Sequence, residues 1–234
     1  MHPFSLPEDL VARVKARTGR AHPFDVMDPA RTALVVVDMQ NYFVKEGFMG
    51  EVPMARTVTG AINRLAAGLR ARGGTVAWVK NTAIGTLDAW SVFNTNLMTP
   101  DRRDRRFAEQ HVDHEGHQVY GALEVAPGDL HIVKRRFSAF IQGSSDIAEV
   151  LRARGVDTVL IAGTATNVCC ESSARDAMML NFKTVMVSDA LATFTDEEHA
   201  ASLRAFYAIF GDVQTVDQAL GALDAGGAAA VAAE

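Results

Sequence analysis

Cysteine, excess positive charge and long apolar runs are all scarce in this 234-residue chain. The only two cysteines, Cys169 and Cys170, are adjacent, so they cannot join distant segments, and no Cys-x-x-Cys pair is present. The absence of a disulfide framework is typical of a reducing compartment and predicts a cytoplasmic location. A net charge of -5 leaves no basic excess, so we expect no nucleic-acid partner.

Features that would direct the chain to a membrane are also lacking. Residues 1–9 have no basic region followed by an apolar stretch, which excludes a signal peptide of the usual pattern. No run reaches the roughly 18 consecutive apolar residues of a membrane span, so we expect no membrane partner. With 48% hydrophobic residues, a chain of this length can bury one large core.

Apolar runs and helical patterns alternate along the chain, as they do in βαβ units. Such units need crossover helices and produce a parallel sheet covered on both faces. The predicted fold is α/β, a single-domain three-layer sandwich with a six-stranded mostly parallel sheet and helices on both faces. The predicted strands lie near residues 32–38, 75–80, 130–134, 157–162, 184–188 and 213–216.

The two ends of the chain fall outside this alternation. Residues 1–30 hold a charged helical pattern and predict an arm, which packs on the body or on another subunit of a homo-oligomer, a dimer or a tetramer. The main domain is predicted at residues 31–222. Residues 223–234 are rich in Ala and Gly and offer little side-chain area to bury, so we expect a flexible tail.

The segment around Cys169 carries most of the chemical information. An apolar strand over residues 159–162 turns at Gly163 and delivers Cys169 to the start of a helical pattern. Unpaired N–H groups and the dipole at a helix start favour a thiolate, so one interpretation is a sulfur nucleophile. The other is that Cys169 and Cys170 are small core residues, as unpaired cysteines often are.

Two charged residues end apolar strands in the same way. Asp38 closes the run over residues 33–38, and Lys134 closes the run over residues 130–134. A charge at a strand end often just reaches solvent. The carboxyl ends of parallel strands, however, border the crevice where open α/β sheets bind ligands. The joint occurrence of Asp38, Lys134 and Cys169 at such positions therefore favours a shared site.

Three motifs resemble those of the isochorismatase-like cysteine hydrolases. They are Val-Val-Asp-Met-Gln-Asn at residues 36–41, Val-Lys-Arg-Arg-Phe-Ser-Ala-Phe at residues 133–140, and Gly-Thr-Ala-Thr-Asn-Val-Cys-Cys-Glu-Ser at residues 163–172. The likeness covers roughly residues 30–216 and is greatest to the ureidoacrylate amidohydrolase group. It marks the main domain as an isochorismatase-like hydrolase domain.

The resemblance implies an Asp-Lys-Cys triad, which carries over to Asp38, Lys134 and Cys169. It also implies a cis peptide between Thr164 and Ala165, so that the N–H groups of Ala165 and Cys169 form an oxyanion hole. The implied reaction is hydrolysis of a carbon–nitrogen bond in a small ureido or amide substrate through a thioester-type intermediate, without a cofactor.

Several alternatives remain open from the sequence. Another small-amide hydrolase of the superfamily would act on an N-carbamoyl compound, a biuret-like compound or nicotinamide. Nicotinamidases hold a metal through an Asp-x-His pattern after the second strand, but residues 80–85 contain no histidine. From a different class, a non-catalytic binding or signalling α/β module also has strand-end charges. It normally has an acidic pair after the first strand, which is missing here.

Candidate substrate-binding residues lie near the predicted strand ends. Asn81 ends the second strand, and its amide suits a ureido or carboxylate group. Tyr42 and Trp90 are candidates for the wall of a small pocket. Arg136 shares a strand face with Lys134 and is a candidate for a carboxylate contact, although arginine is more often a structural ion-pair partner.

Two polar clusters are assigned no role in the predicted site. His111, His114 and His117 recur at every third position, as zinc ligands can, but Gly116 interrupts the helix that would align them. We therefore predict no metal site. The charged run over residues 101–106 is mixed in sign, which favours a solvated helix face over an anion site.

Overall fold

The computed structural model describes residues 1–231, which form a six-stranded sheet with helices on both sides. The strands are β1 (Thr32–Val37), β2 (Thr75–Asn81), β3 (Leu130–Lys134), β4 (Thr158–Thr164), β5 (Lys183–Ala192) and β6 (Asp212–Gln214). The α-helices are α1 (Glu8–Thr18), α2 (Asn41–Val44), α3 (Thr59–Ala71), α4 (Pro100–Glu109), α5 (Ile147–Ala153), α6 (Glu171–Met179), α7 (Asp196–Ile209) and α8 (Val216–Val231).

The strand order is β3-β2-β1-β4-β5-β6, and every neighbouring pair is parallel. This confirms the predicted six-stranded sandwich. All six residues of β1 are buried, which explains its continuous apolar sequence, because a central parallel strand is covered on both faces. Among residues 1–231, no helix has the length and apolar character needed to cross a membrane.

Each face of the sheet has its own hydrophobic core. Alternate residues of β1 point to opposite sides, with Val35 in one core and Leu34 in the other. The first core is completed by residues of α1, α5, α6 and α7, and the second by residues of α3 and α8. The helices thus lie in two layers around the sheet.

The ends of the chain join these cores. In the predicted arm, Leu10 and Val14 of α1 are buried in the first core. Residues 223–231 of the predicted tail continue helix α8, in which Leu223 is fully buried. Alanine is the strongest helix former, so an alanine-rich segment that starts from a packed helix extends it. Residues 232–234 of the predicted tail lie outside the described residues.

Candidate active site

The carboxyl ends of β1 and β4 lie side by side, and the connections that leave them cross opposite faces of the sheet. The connection after β1 runs through α3 over one face of the sheet, whereas the connection after β4 runs through α6 over the other. A crevice therefore opens between the carboxyl ends of β1 and β4, as is usual where connections reverse direction in such sheets. The residue Asp38 follows β1 directly, and the turn that carries Cys169 follows β4.

The backbone beside the crevice has unusual conformations. Asp38 has a φ of +56°, a left-handed value that is uncommon outside glycine, and its N–H donates to Val79 O at 2.9 Å. In β4, Gly163 has a φ of +114°, and a Cβ there would overlap the backbone of Val37. Only glycine permits this approach of β4 to β1. The peptide bond between Thr164 and Ala165 is cis.

Asp38 and Lys134 form a fully buried ion pair. The distance from Lys134 Nζ to Asp38 Oδ2 is 2.8 Å, and both side chains are 0% exposed. The ammonium group reaches across the end of β2, which lies between β1 and β3, and also donates to Arg136 O at 3.0 Å. Neither carboxylate oxygen of Asp38 has an aligned hydrogen-bond donor among residues 1–231. The pair is therefore held by charge at close range, and the carboxylate can still accept a proton.

The charges of the pair oppose the effect of burial. Burial raises the pKa of Asp38 above its ordinary value, while Lys134 and the Cys169 thiol act in the opposite direction. Burial alone would lower the pKa of Lys134, but Asp38 and Cys169 raise it above its ordinary value. The ammonium therefore stays charged, and a carboxylate with a raised pKa is a better base than an exposed one.

Cys169 lies at the end of a π-helical turn, Thr166–Cys170, that leads into α6. Its carbonyl oxygen accepts from Ser173 Oγ at 2.7 Å, and the same hydroxyl accepts from Ala139 N at 3.0 Å. Burial, together with the neighbouring Asp38 carboxylate, raises the pKa of the Cys169 thiol well above its ordinary value. Desolvation and the Asp38 carboxylate therefore oppose the thiolate that an unpaired helix start would favour.

A cavity of about 230 Å³ opens beside Cys169. Among the predicted substrate-binding residues, Tyr42 and Asn81 line this cavity, and Ala165 does so from the turn before Cys169. Burial raises the pKa of Tyr42 to about 12, so its hydroxyl remains protonated at neutral pH.

Trp90 and Arg136, also predicted as substrate contacts, do not line this cavity. They border a separate surface groove, where the Arg136 guanidinium lies 5.5 Å from the centre of the Trp90 ring. Arg136 also donates to Ala89 O at 2.7 Å. Its position in the sequence suggested an inward side chain, but strand β3 ends at Lys134, and strand alternation no longer applies beyond it.

The structure brings residues into the cavity that the sequence did not identify. Arg106 lines it from α4 and Gln110 lines it from the position directly after α4, and both residues are buried. Arg106 belongs to the charged run that was predicted to be a solvated helix face, and for this residue that prediction is wrong. The sequence contains only a weak signal for this: no acidic residue lies four positions from Arg106, but Glu109 follows it by three positions, which is also within reach along a helix.

The three histidines at residues 111–117 do not converge. His111 lies beside Asp113, His114 Nδ1 accepts from Gly116 N, and His117 is buried. Within residues 1–231, no group of three or more His, Cys, Asp or Glu side chains is placed to hold a metal ion.

Comparison with known proteins shows the family to which this chain belongs. Residues 32–218 match the model of the isochorismatase domain, and the chain therefore belongs to the isochorismatase family of hydrolases. It is 32% identical to the ureidoacrylate amidohydrolase RutB of Pseudomonas savastanoi pv. phaseolicola over 224 residues, covering 89% of this chain and 91% of the relative. The predicted likeness to the ureidoacrylate amidohydrolase group is thereby confirmed.

Solved structures agree with the family. A cysteine hydrolase from Pseudomonas syringae pv. phaseolicola 1448A superposes with a TM-score of 0.72 at 26% identity, covering 86% of this chain and 95% of that one. The N-carbamoylsarcosine amidase from Thermoplasma acidophilum superposes with a TM-score of 0.61 at 25% identity, covering 80% and 97%.

Proposed function

We propose that this protein is a cysteine-dependent amidohydrolase that cleaves a carbon–nitrogen bond in a small ureido or amide compound similar to ureidoacrylate. The observation that carries the proposal is the buried ion pair of Asp38 and Lys134 beside the Cys169 thiol, at the edge of a small cavity. A thiol next to a carboxylate base is the arrangement that activates sulfur as a nucleophile. The relatives named after ureidoacrylate and N-carbamoylsarcosine support a substrate of this kind.

In the first half of the proposed reaction, the thiol proton passes to Asp38 while sulfur bonds to the substrate carbonyl carbon. Because the pKa of the thiol is raised, proton transfer accompanies attack instead of preceding it. The negative charge of the Asp38 carboxylate is thereby transferred to the carbonyl oxygen. We assign its stabilisation to the N–H groups of Ala165 and Cys169, and one such donor is typically worth about 2.7 to 4 kcal/mol.

In the second half, the carbon–nitrogen bond breaks and Asp38 returns the proton to the departing nitrogen. Water then attacks the thioester-type intermediate, Asp38 accepts a proton from it, and Asp38 passes this proton to the departing sulfur. Lys134 stays charged throughout and stabilises the ionised carboxylate each time it forms.

The test is a panel of small amides, ureas and N-carbamoyl acids, assayed for ammonia release with the wild type and with Cys169→Ala. Asp38→Asn keeps the shape of the side chain and removes the base, so turnover should fall about 10²- to 10⁴-fold. As a matched control, Cys170→Ala removes the adjacent buried thiol and should retain activity. Hydrolysis that survives Cys169→Ala would count against the mechanism. Binding of panel compounds without hydrolysis by the wild type would favour a non-catalytic binding module.

We also propose that the protein forms a dimer or a tetramer. Several large apolar side chains are exposed on the isolated chain, including Phe194 at 57%, Ile209 at 62% and Met179 at 64%. Light scattering coupled to size-exclusion chromatography measures the molar mass directly, and a mass near the 25.2 kDa of one chain would contradict the proposal.

A further inference from the structure

Arg106 is a buried cation beside the proposed nucleophile. Only 4% of the residue is exposed, although arginine is almost never fully buried without an acidic partner. Its Nη1 donates to Asn94 Oδ1 at 2.9 Å, and its guanidinium carbon lies 5.2 Å from the centre of the Phe93 ring and 5.8 Å from that of Trp90. These neighbours are neutral, so they fix the position of the guanidinium without balancing its charge.

No carboxylate among residues 1–231 provides that balance. Within the described residues, Arg106 forms no ion pair, whereas Arg103 and Arg105 of the same helix pair with Asp104 and Glu109. The cavity lining contains no Asp or Glu side chain. The nearby Asp38 carboxylate is already paired with Lys134. A buried guanidinium with free donors is costly unless an anion occupies the space in front of it.

Gln110, the residue directly after α4, adds an independent observation. It follows Arg106 by four residues, is 1% exposed, and lines the same cavity. Its side-chain Oε1 has no hydrogen-bond partner among residues 1–231. Buried polar atoms are rarely left unpartnered, so this oxygen is a candidate acceptor for a polar group that enters the cavity.

We propose that Arg106 is the anchor for a carboxylate on the substrate, with the Gln110 amide bonding a second polar group of the same molecule. This proposal rests on the proposed function and adds to it the residue that recognises the carboxylate of a compound similar to ureidoacrylate. Arginine suits this role because its planar fork of donors pairs with both oxygens of a carboxylate. The contact with Asn94 leaves the remaining donors of the fork for the ligand.

The experiment compares two probes that differ only in charge at one end. The three-carbon part of 3-ureidopropionate ends in a carboxylate, and in propylurea a methyl group takes the place of that carboxylate. For the wild type, kcat/KM should be higher with 3-ureidopropionate. Arg106→Met should raise KM for 3-ureidopropionate about 10- to 100-fold, the usual loss for a charge-assisted hydrogen bond, and change KM for propylurea by less than about threefold.

Two further variants separate recognition from a structural effect. Arg106→Lys retains the charge but loses the fork, so its KM for 3-ureidopropionate should lie between those of the wild type and Arg106→Met. Arg103→Met removes a cation from the same helix outside the cavity and should leave both KM values unchanged. If Arg106→Met weakened both probes equally, or the wild type did not distinguish them, the proposal would be wrong.

A binding measurement keeps this proposal distinct from the catalytic one. Isothermal titration of Cys169→Ala with each probe reports recognition without turnover. Selective binding of 3-ureidopropionate that is lost in the Cys169→Ala, Arg106→Met double variant supports the anchor, even if the wild type hydrolyses neither probe. Equal affinity for the two probes overturns the anchor, even if Cys169 proves to be the nucleophile.

Discussion

Replacing Lys134 with Met tests the buried ion pair most directly. Methionine has a similar length but no charge, so the variant leaves the Asp38 carboxylate buried without a counter-ion. At the observed 2.8 Å, two unit charges attract by about 6 kcal/mol at an effective dielectric constant of about 20. Breaking buried pairs typically costs about 3–5 kcal/mol, because part of the attraction is already offset by desolvation. We therefore expect the free energy of unfolding to fall by about 3–5 kcal/mol at neutral pH.

The loss should depend on pH with a defined sign. Without Lys134, the pKa of Asp38 in the folded state rises further above its ordinary value of 3.8, so the folded protein binds a proton that the unfolded chain releases. The stability of the variant relative to the wild type is then greatest at a pH below the pKa of Asp38 in the unfolded chain. This relative stability is lost as the pH rises through the raised pKa of Asp38 in the folded protein. Urea unfolding followed by circular dichroism, at several values from mildly acidic to neutral pH, measures this trend.

A double variant supplies the control. Asp38→Asn combined with Lys134→Met removes both charges, and it should recover most of the stability lost in Lys134→Met alone, because no buried charge is left unpaired. If the losses of the two single variants simply added, the residues would not be coupled. A Lys134→Met protein as stable as the wild type at neutral pH would refute the reasoning.

Three further predictions concern the thiol, metal dependence and the strand approach. Iodoacetamide at neutral pH should label Cys169 faster than Cys170, because of the two cysteines only Cys169 lines the cavity. Mass spectrometry of the labelled peptides measures both rates, and equal labelling or faster labelling of Cys170 would contradict the prediction. Exhaustive chelation should leave turnover intact, because the cavity lining offers no histidine or carboxylate, whereas a loss restored by added Zn²⁺ or Fe²⁺ would contradict this. Gly163→Ala should lower the free energy of unfolding by more than about 1 kcal/mol, because φ is +114° and the added methyl meets Val37. Thermal unfolding measures the effect, with Gly128→Ala as a control in open space.

The positions of the strands were decided by local sequence. The run over residues 33–37 is apolar without interruption, and only a central parallel strand buries both faces of such a segment. The same pattern marks where the strands end, so the sequence alone assigns Asp38, Lys134 and Cys169 to one edge of the sheet. The spacing of apolar residues in a strand and the position of its end depend on residues that are adjacent in the chain, so they can be predicted from a single sequence.

Only the tertiary structure decided which side chains face the nucleophile. Arg106 and Gln110 enter the cavity because of the way α4 packs across the strand ends, while Trp90 and Arg136 border a groove outside it. The direction of the Cys169 pKa shift likewise depended on burial and on the distance to Asp38. Local patterns predict which face of a helix is polar, but not which part of the molecule that face meets. Desolvation and charge proximity arise from groups far apart in the chain, so they exist only once the layers have packed.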